Sequence, residues 1–163
     1  MLLKVEKEIL AIQDTYSVFD ENNNLKYKIK SEIVSLVKMF RVYDNEDKEI
    51  AIMKRKFMSA LPEFDIEVDK KSTGFIKAEA TFLRAKYNIS DLYTAVADNM
   101  NCKYDISDKQ NNNIAKIERI QPAMKSSFKI DVLNDANELF LVLFVVVTEE
   151  LRIRDNKKRR VRK

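Results

Sequence analysis

Several stretches of the chain alternate apolar and polar residues with a period of two, the spacing of a strand that buries one face, and turn-forming residues bound each stretch. YSVF at 16–19 runs into DENNN at 20–24, and LKYKIK at 25–30 runs out, which predicts a β-hairpin. The plan recurs as FRVY, DNEDKE and IAIMK over 40–54, and again as YDIS, DKQNNN and IAKIE over 104–118. Asn and Asp suit these turns because they tolerate left-handed backbone and bond their own main chain. Further strand-like runs are FDIEV at 64–68, GFIKA at 74–78, ATFLRAKYNI at 80–89 and FKIDV at 128–132. Short strands at roughly 8–12-residue spacing argue for a sandwich or barrel over a sheet with helical crossovers. Residues 3–12 fit a strand or a helix, and SDLYTAVADN at 90–99 reads as a helical turn.

One segment breaks the alternation. LFLVLFVVV at 139–147 is nine apolar residues without interruption. Its valines favour a buried strand. Asp135 with Glu138 three residues later resembles a capping box, and with the acidic flank it favours a helix. A helix apolar on every face must be buried on every face. The run is far shorter than the roughly 20 residues that cross a bilayer.

Composition narrows the chemistry. The 163 residues fit one domain with a sizeable core. There is no histidine, and Gly74 is the single glycine, so the commonest general base and the glycine loops that cradle phosphates are both missing. Cys102, the single cysteine, forms no internal disulfide, and without histidine no zinc pattern can be written. No carboxylate spacing marks a catalytic pair, so the expectation is a non-enzymatic protein with no metal and no cofactor. The first residues, MLLKVEKE, lack the apolar core of a signal peptide, which makes cytoplasmic residence the default.

The net charge of +4 is unevenly placed. Residues 152–163 hold eight basic residues against Asp155, a net of +7, which leaves the other 151 residues at −3. The division expected is a folded domain over 1–151 and a basic, disordered tail over 152–163.

The order of these features resembles the LURP-one-related family, whose fold is similar to the C-terminal domain of Tubby and to phospholipid scramblases. The residues that carry the resemblance are the hairpins DENNNLKYKIK (20–30), VYDNEDKEIAIMKRK (42–56) and YDISDKQNNNIAKI (104–117), followed by the apolar run at 139–147. It covers roughly residues 5–151, with Asn standing where the family places glycine in the turns. The resemblance implies a mainly β fold: a closed antiparallel barrel of about twelve strands around a central, buried, hydrophobic C-terminal helix. A barrel that wide has an interior its own side chains cannot fill, and a helix apolar on all sides is a fitting plug.

Two basic clusters are candidate lipid-binding sites. Lys157, Lys158, Arg159, Arg160, Arg162 and Lys163 form the strongest electrostatic feature. They suit an anionic membrane surface, where each basic residue contributes about 1 kcal/mol, better than nucleic acid, since no aromatic interleaves them for base stacking. A solubilising tail without a ligand is the plain alternative. Lys54, Arg55 and Lys56 lie at the end of a strand, near where Tubby domains hold phosphoinositide headgroups; the alternative is an ordinary solvated strand end. Met53, Met58, Met100 and Met124 read as core filler, Cys102 as incidental, and Pro62 and Pro122 as markers of connections. The function expected is a binding module, peripheral at an anionic phospholipid membrane or held by a protein partner, with a scaffold or a nucleic-acid-associated protein as the rival classes.

Overall fold

The alternating segments form strands that pair in the order in which they are made. The computed structural model describes residues 1–9, 13–120 and 126–162. Among these, the twelve strands are β1 (Leu2–Ile9), β2 (Asp14–Phe19), β3 (Leu25–Val34), β4 (Val37–Asp44), β5 (Glu49–Arg55), β6 (Glu63–Val68), β7 (Lys71–Glu79), β8 (Lys86–Ile89), β9 (Tyr93–Ala97), β10 (Lys103–Asp108), β11 (Asn113–Ile120) and β12 (Ser127–Val132). One helix follows, α1 (Glu138–Val161). Each strand is antiparallel to the next, and β1 closes on β12 with Leu3 opposite Ile130 and Val5 opposite Phe128. Closure leaves the barrel without a sheet edge.

The three hairpins expected from the sequence share one construction. Asp20, Asp44 and Asp108 each end a strand or follow it directly, and each carboxylate accepts main-chain N–H groups from residues two and four further on, at 2.8–3.0 Å. Asn23, Asp47 and Asn111 take the left-handed conformation, with φ of 67°, 60° and 64°. A register shift accompanies each, at Val18/Phe19, Val42/Tyr43 and Ile106/Ser107. The Asn and Asp side chains thus supply what glycine would otherwise provide.

Two expectations are corrected. Residues 93–97 form β9, not a helical turn, because Ser90 and Asp91 with positive φ complete a tight turn and place Ala95 and Ala97 on the inner face. The run at 80–89 is a strand only from Lys86; residues 80–85 form a loop whose Phe82 and Leu83 face outward. The open choice over 3–12 resolves as strand through Ile9, and residues 10–12, like Pro122 and Met124, lie outside the described residues.

Inward positions along every strand carry the core, among them Val18, Ile29, Phe40, Met53, Phe64, Ile66, Ile89, Ile106 and Ile130, all fully buried. They close around residues 140–150 of α1, which are buried on all sides. The helix begins as its composition requires, but the cap is Asn137, whose side chain accepts the N–H of Phe140 at 3.2 Å, in place of Asp135. Phe144 sits edge-on to both Tyr87 and Tyr104, each with ring centroids at 5.2 Å. Gly74 makes room for the first turn: a Cβ there would lie 2.2 Å from Ser90 Oγ and 2.8 Å from Phe140 Cζ.

Candidate interaction surface

In a meander closed on itself, the connections alternate between two ends of the barrel. The β2–β3, β4–β5, β6–β7, β8–β9 and β10–β11 turns share one end with the β12–α1 link; the β3–β4, β5–β6, β7–β8 and β9–β10 loops share the other. The helix enters at the first end, where Lys26 meets Glu138 at 2.7 Å and the Asn137 N–H donates to the Tyr93 hydroxyl. It leaves at the second, which we call the exit end.

At the exit end the inner lining changes from apolar to charged. Lys7, Asp14, Lys38, Arg55 and Arg119 continue the inward-facing series of their strands, two residues beyond Val5, Tyr16, Phe40, Met53 and Ile117. They receive Glu149 and Glu150 of α1, which are 1% and 4% exposed. Glu149 accepts hydrogen bonds from Ser126 at 2.8 Å, from Arg119 at 3.0 Å and from Arg152 at 2.8 Å. Glu150 pairs with Lys38 at 2.7 Å and Arg154 at 3.2 Å, and Lys38 also reaches Asp14 at 2.9 Å. Burial alone would raise the Glu149 carboxyl, but the Arg152 and Ser126 hydrogen bonds and the Arg119 charge outweigh it and hold the group below the usual range. Asp14 is lowered likewise, the Lys38 and Lys7 partners overcoming its burial. Lys7 goes the other way: burial pushes its ammonium down despite the nearby carboxylates.

These pairs lead the helix out of the barrel. The Glu149–Arg152 and Glu150–Arg154 pairs at i,i+3 and i,i+4 bridge the last buried turn to the first solvated one. Residues expected as a disordered tail from 152 are therefore the final turns of α1, which runs through Val161. Basic residues in the last turn, Lys158, Arg159 and Arg160, complement the negative end of the helix dipole. Lys157, Lys158, Arg159, Arg160 and Arg162 are all exposed on this projecting segment; Lys163 lies outside the described residues.

The second predicted cluster is divided by the strand's own alternation. Lys54 and Lys56 face outward from β5, where Lys54 meets Glu67 at 3.8 Å and Lys56 meets Glu63 at 2.6 Å. Arg55 faces inward, over the ring of Phe64 at 5.8 Å. Burial and the neighbouring Arg154 lower the tendency of its guanidinium to hold charge, and its Nη1 is buried without a hydrogen-bond partner among the described residues. Of the three, only Arg55 belongs with the helix at the exit end.

Sequence reasoning missed the apolar part of this end. Ile33, Val34 and Leu36 on the β3–β4 hairpin, Phe57 and Met58 between β5 and β6, Phe82 and Leu83 between β7 and β8, and Met100 between β9 and β10 are exposed. Met58 and Met100 are thus not core filler, whereas Met53 is. Phe57 and Met58 follow the strand signal that ends at Lys54, but Phe82 and Leu83 fall inside the strand-like run at 80–89 and Ile33 and Val34 inside β3, so the sequence carried no positional signal for those four. A groove of about 760 Å³ beside α1 brings the two features together, lined by Ile33, Leu36, Ile153, Lys157 and Arg160. The opposite end is polar, its exposed turns holding Glu21, Glu46, Asp47, Asp69 and Asp91 beside Lys48, Lys70 and Lys109.

A family model described as LURP-one-related matches residues 1–149. The chain is also similar to the uncharacterised protein YxjI of Bacillus subtilis (strain 168), 23% identical over 90 residues, which make up 55% of this chain and 56% of that protein. The match thus spans little more than half the length of that relative. No solved structure matches. With its family match running from the first strand into the buried part of the helix, the chain belongs to the LURP-one-related family.

Proposed function

We propose that this protein is a non-enzymatic binding module that docks its exit end on an anionic phospholipid surface. The observation that supports this reading is the segregation of charge along the barrel. Four exposed basic side chains project on the last turns of α1, with Arg162 capping it, all without an interleaved acid, while the turns of the other end carry exposed carboxylates mixed with Lys48, Lys70 and Lys109. Such a charge distribution orients the molecule in the field of an anionic membrane before contact. Each basic side chain near the surface contributes about 1 kcal/mol, and the contribution fades beyond a Debye length of about 8 Å at physiological salt. Association would be peripheral, since among the described residues no helix is long and apolar enough to cross a membrane.

Flotation with phosphatidylcholine vesicles containing phosphatidylserine tests this. Reversing Lys157, Lys158, Arg159 and Arg160 to Glu should abolish flotation, whereas Lys54→Gln with Lys56→Gln should leave it unchanged, because those lysines already face carboxylates. Equal flotation of wild type and the reversed variant would overturn the reading. So would loss of RNA binding in the reversed variant with no wild-type flotation to lose.

A further inference from the structure

The exit end carries more than charge. The loop tips that surround the emerging helix expose Ile33, Leu36, Phe57, Met58, Phe82 and Leu83, all large apolar side chains. They belong to successive loops, β3–β4, β5–β6 and β7–β8, so they share one rim. Arg84 follows Phe82 and Leu83, whereas Lys56, which precedes Phe57 and Met58, is already paired with Glu63. On the opposite rim the hairpin turns are mostly Asn, Asp, Glu and Lys, with Leu92 in the β8–β9 turn; Met1 and Leu133 beside them are the other large exposed apolar side chains.

We propose that these tips insert into the interfacial region of an anionic bilayer, with Phe57, Met58, Phe82 and Leu83 reaching the acyl chains while the basic turns of α1 remain among the headgroups. The inference rests on the reading above and adds the depth and the apolar share of the contact. Two features favour a bilayer over a second copy of the chain. The projecting helix carries like charge on every copy and would repel itself. Apolar tips beside cationic side chains match the two layers of an anionic interface, hydrocarbon beneath phosphate.

The chain contains no tryptophan, so a single introduced one reports its own surroundings. Phe57→Trp, Phe82→Trp and Leu36→Trp should each shift to shorter-wavelength emission on adding phosphatidylserine-containing vesicles, and lipids brominated on the acyl chains should quench them. Leu92→Trp, on the opposite rim, should do neither. Replacing Phe82 and Leu83 together by Asp should weaken vesicle binding at least about tenfold, given the transfer free energy of large apolar side chains, with an unchanged melting temperature because both positions are exposed.

Tryptophans at 57, 82 and 36 that stay unshifted while the vesicles still carry the protein would overturn insertion and leave the electrostatic docking standing. Failure of wild type to bind vesicles at all would remove both. An emission shift that follows protein concentration and ignores vesicles would assign the tips to contact between copies, and would also overturn the proposal.

Discussion

The Glu149 carboxylate, buried inside the barrel mouth, accepts a hydrogen bond from the Arg119 guanidinium of β11 at 3.0 Å. This pair fixes the depth of the helix. One turn deeper, Glu149 would enter the apolar layer around Phe144; one turn shallower, Val145 and Val146 would face the charged lining. The same residue accepts from Arg152, the first solvated turn, so a single carboxylate joins wall, plug and projecting segment.

Glu149→Ala should therefore be among the costliest substitutions in the chain. Arg119, 11% exposed, would be left buried without its carboxylate, a situation that costs about 3–5 kcal/mol. Urea denaturation followed by circular dichroism measures it. An effect below about 1 kcal/mol, the scale of surface pairs, would contradict the depth-setting role.

Acid should loosen the same layer. Glu149 and Asp14 are held below ordinary values of 4.5 and 3.8, so each contributes stability that is complete above its unfolded-state value and is lost as pH falls through the lower folded-state one. Chemical denaturation should give constant stability from neutral pH down to about 5 and a decline below that. Glu149→Gln should flatten the decline. An unchanged slope in that variant would place the acid sensitivity elsewhere.

The plug itself is tested at its centre. Phe144→Ala removes a fully buried ring that contacts Tyr87 and Tyr104 edge-on, and should cost about 3–5 kcal/mol in thermal or denaturant unfolding. Near-ultraviolet circular dichroism should also lose tyrosine signal.

Gly74 illustrates a packing requirement unrelated to turns. Gly74→Ala puts a methyl group within 2.2 Å of Ser90 Oγ and 2.8 Å of Phe140 Cζ, so Ser90 must give up its bonds to Phe75 and the first turn of α1 must shift. A loss of about 1–3 kcal/mol is expected, read from the urea midpoint. Tolerance without loss would mean that the first turn of the helix is loosely seated.

Much of this fold was legible because the hairpin turns announce themselves. The DxxNN-type loops at 20–24 and 108–112 and the related loop at 44–48 each place Asp at the strand end and Asn or Asp at the left-handed position, a local chemistry that needs no partner. Residues 139–147 were readable as buried because nothing but enclosure suits nine consecutive apolar side chains, while their part as a helical plug followed from the family resemblance. The β9 strand was hidden by its alanines, Ala95 and Ala97, which face inward, since small residues carry little strand signal. The length of α1 was hidden too, since its outer turns depend on Glu149 and Glu150 reaching Arg152 and Arg154, a relation that exists only once the helix is in place.

The interaction surface was half legible. Lys157, Lys158, Arg159, Arg160 and Arg162 stand out as a charge run, but Lys54, Arg55 and Lys56 look like a patch only until the strand's alternation separates them. Phe57, Met58, Phe82 and Leu83 resemble core residues by type, and only the barrel places them on one rim.

Hydrogen–deuterium exchange of the intact protein, with and without phosphatidylserine-containing vesicles, tests the orientation most directly. Slowed exchange should be confined to the loops at 33–36, 56–62 and 80–85 and to α1 beyond residue 154, with the hairpin turns at 20–24, 45–48 and 109–112 unchanged. Protection at those hairpin turns, or none anywhere while the vesicles carry the protein, would contradict an exit end that faces the membrane.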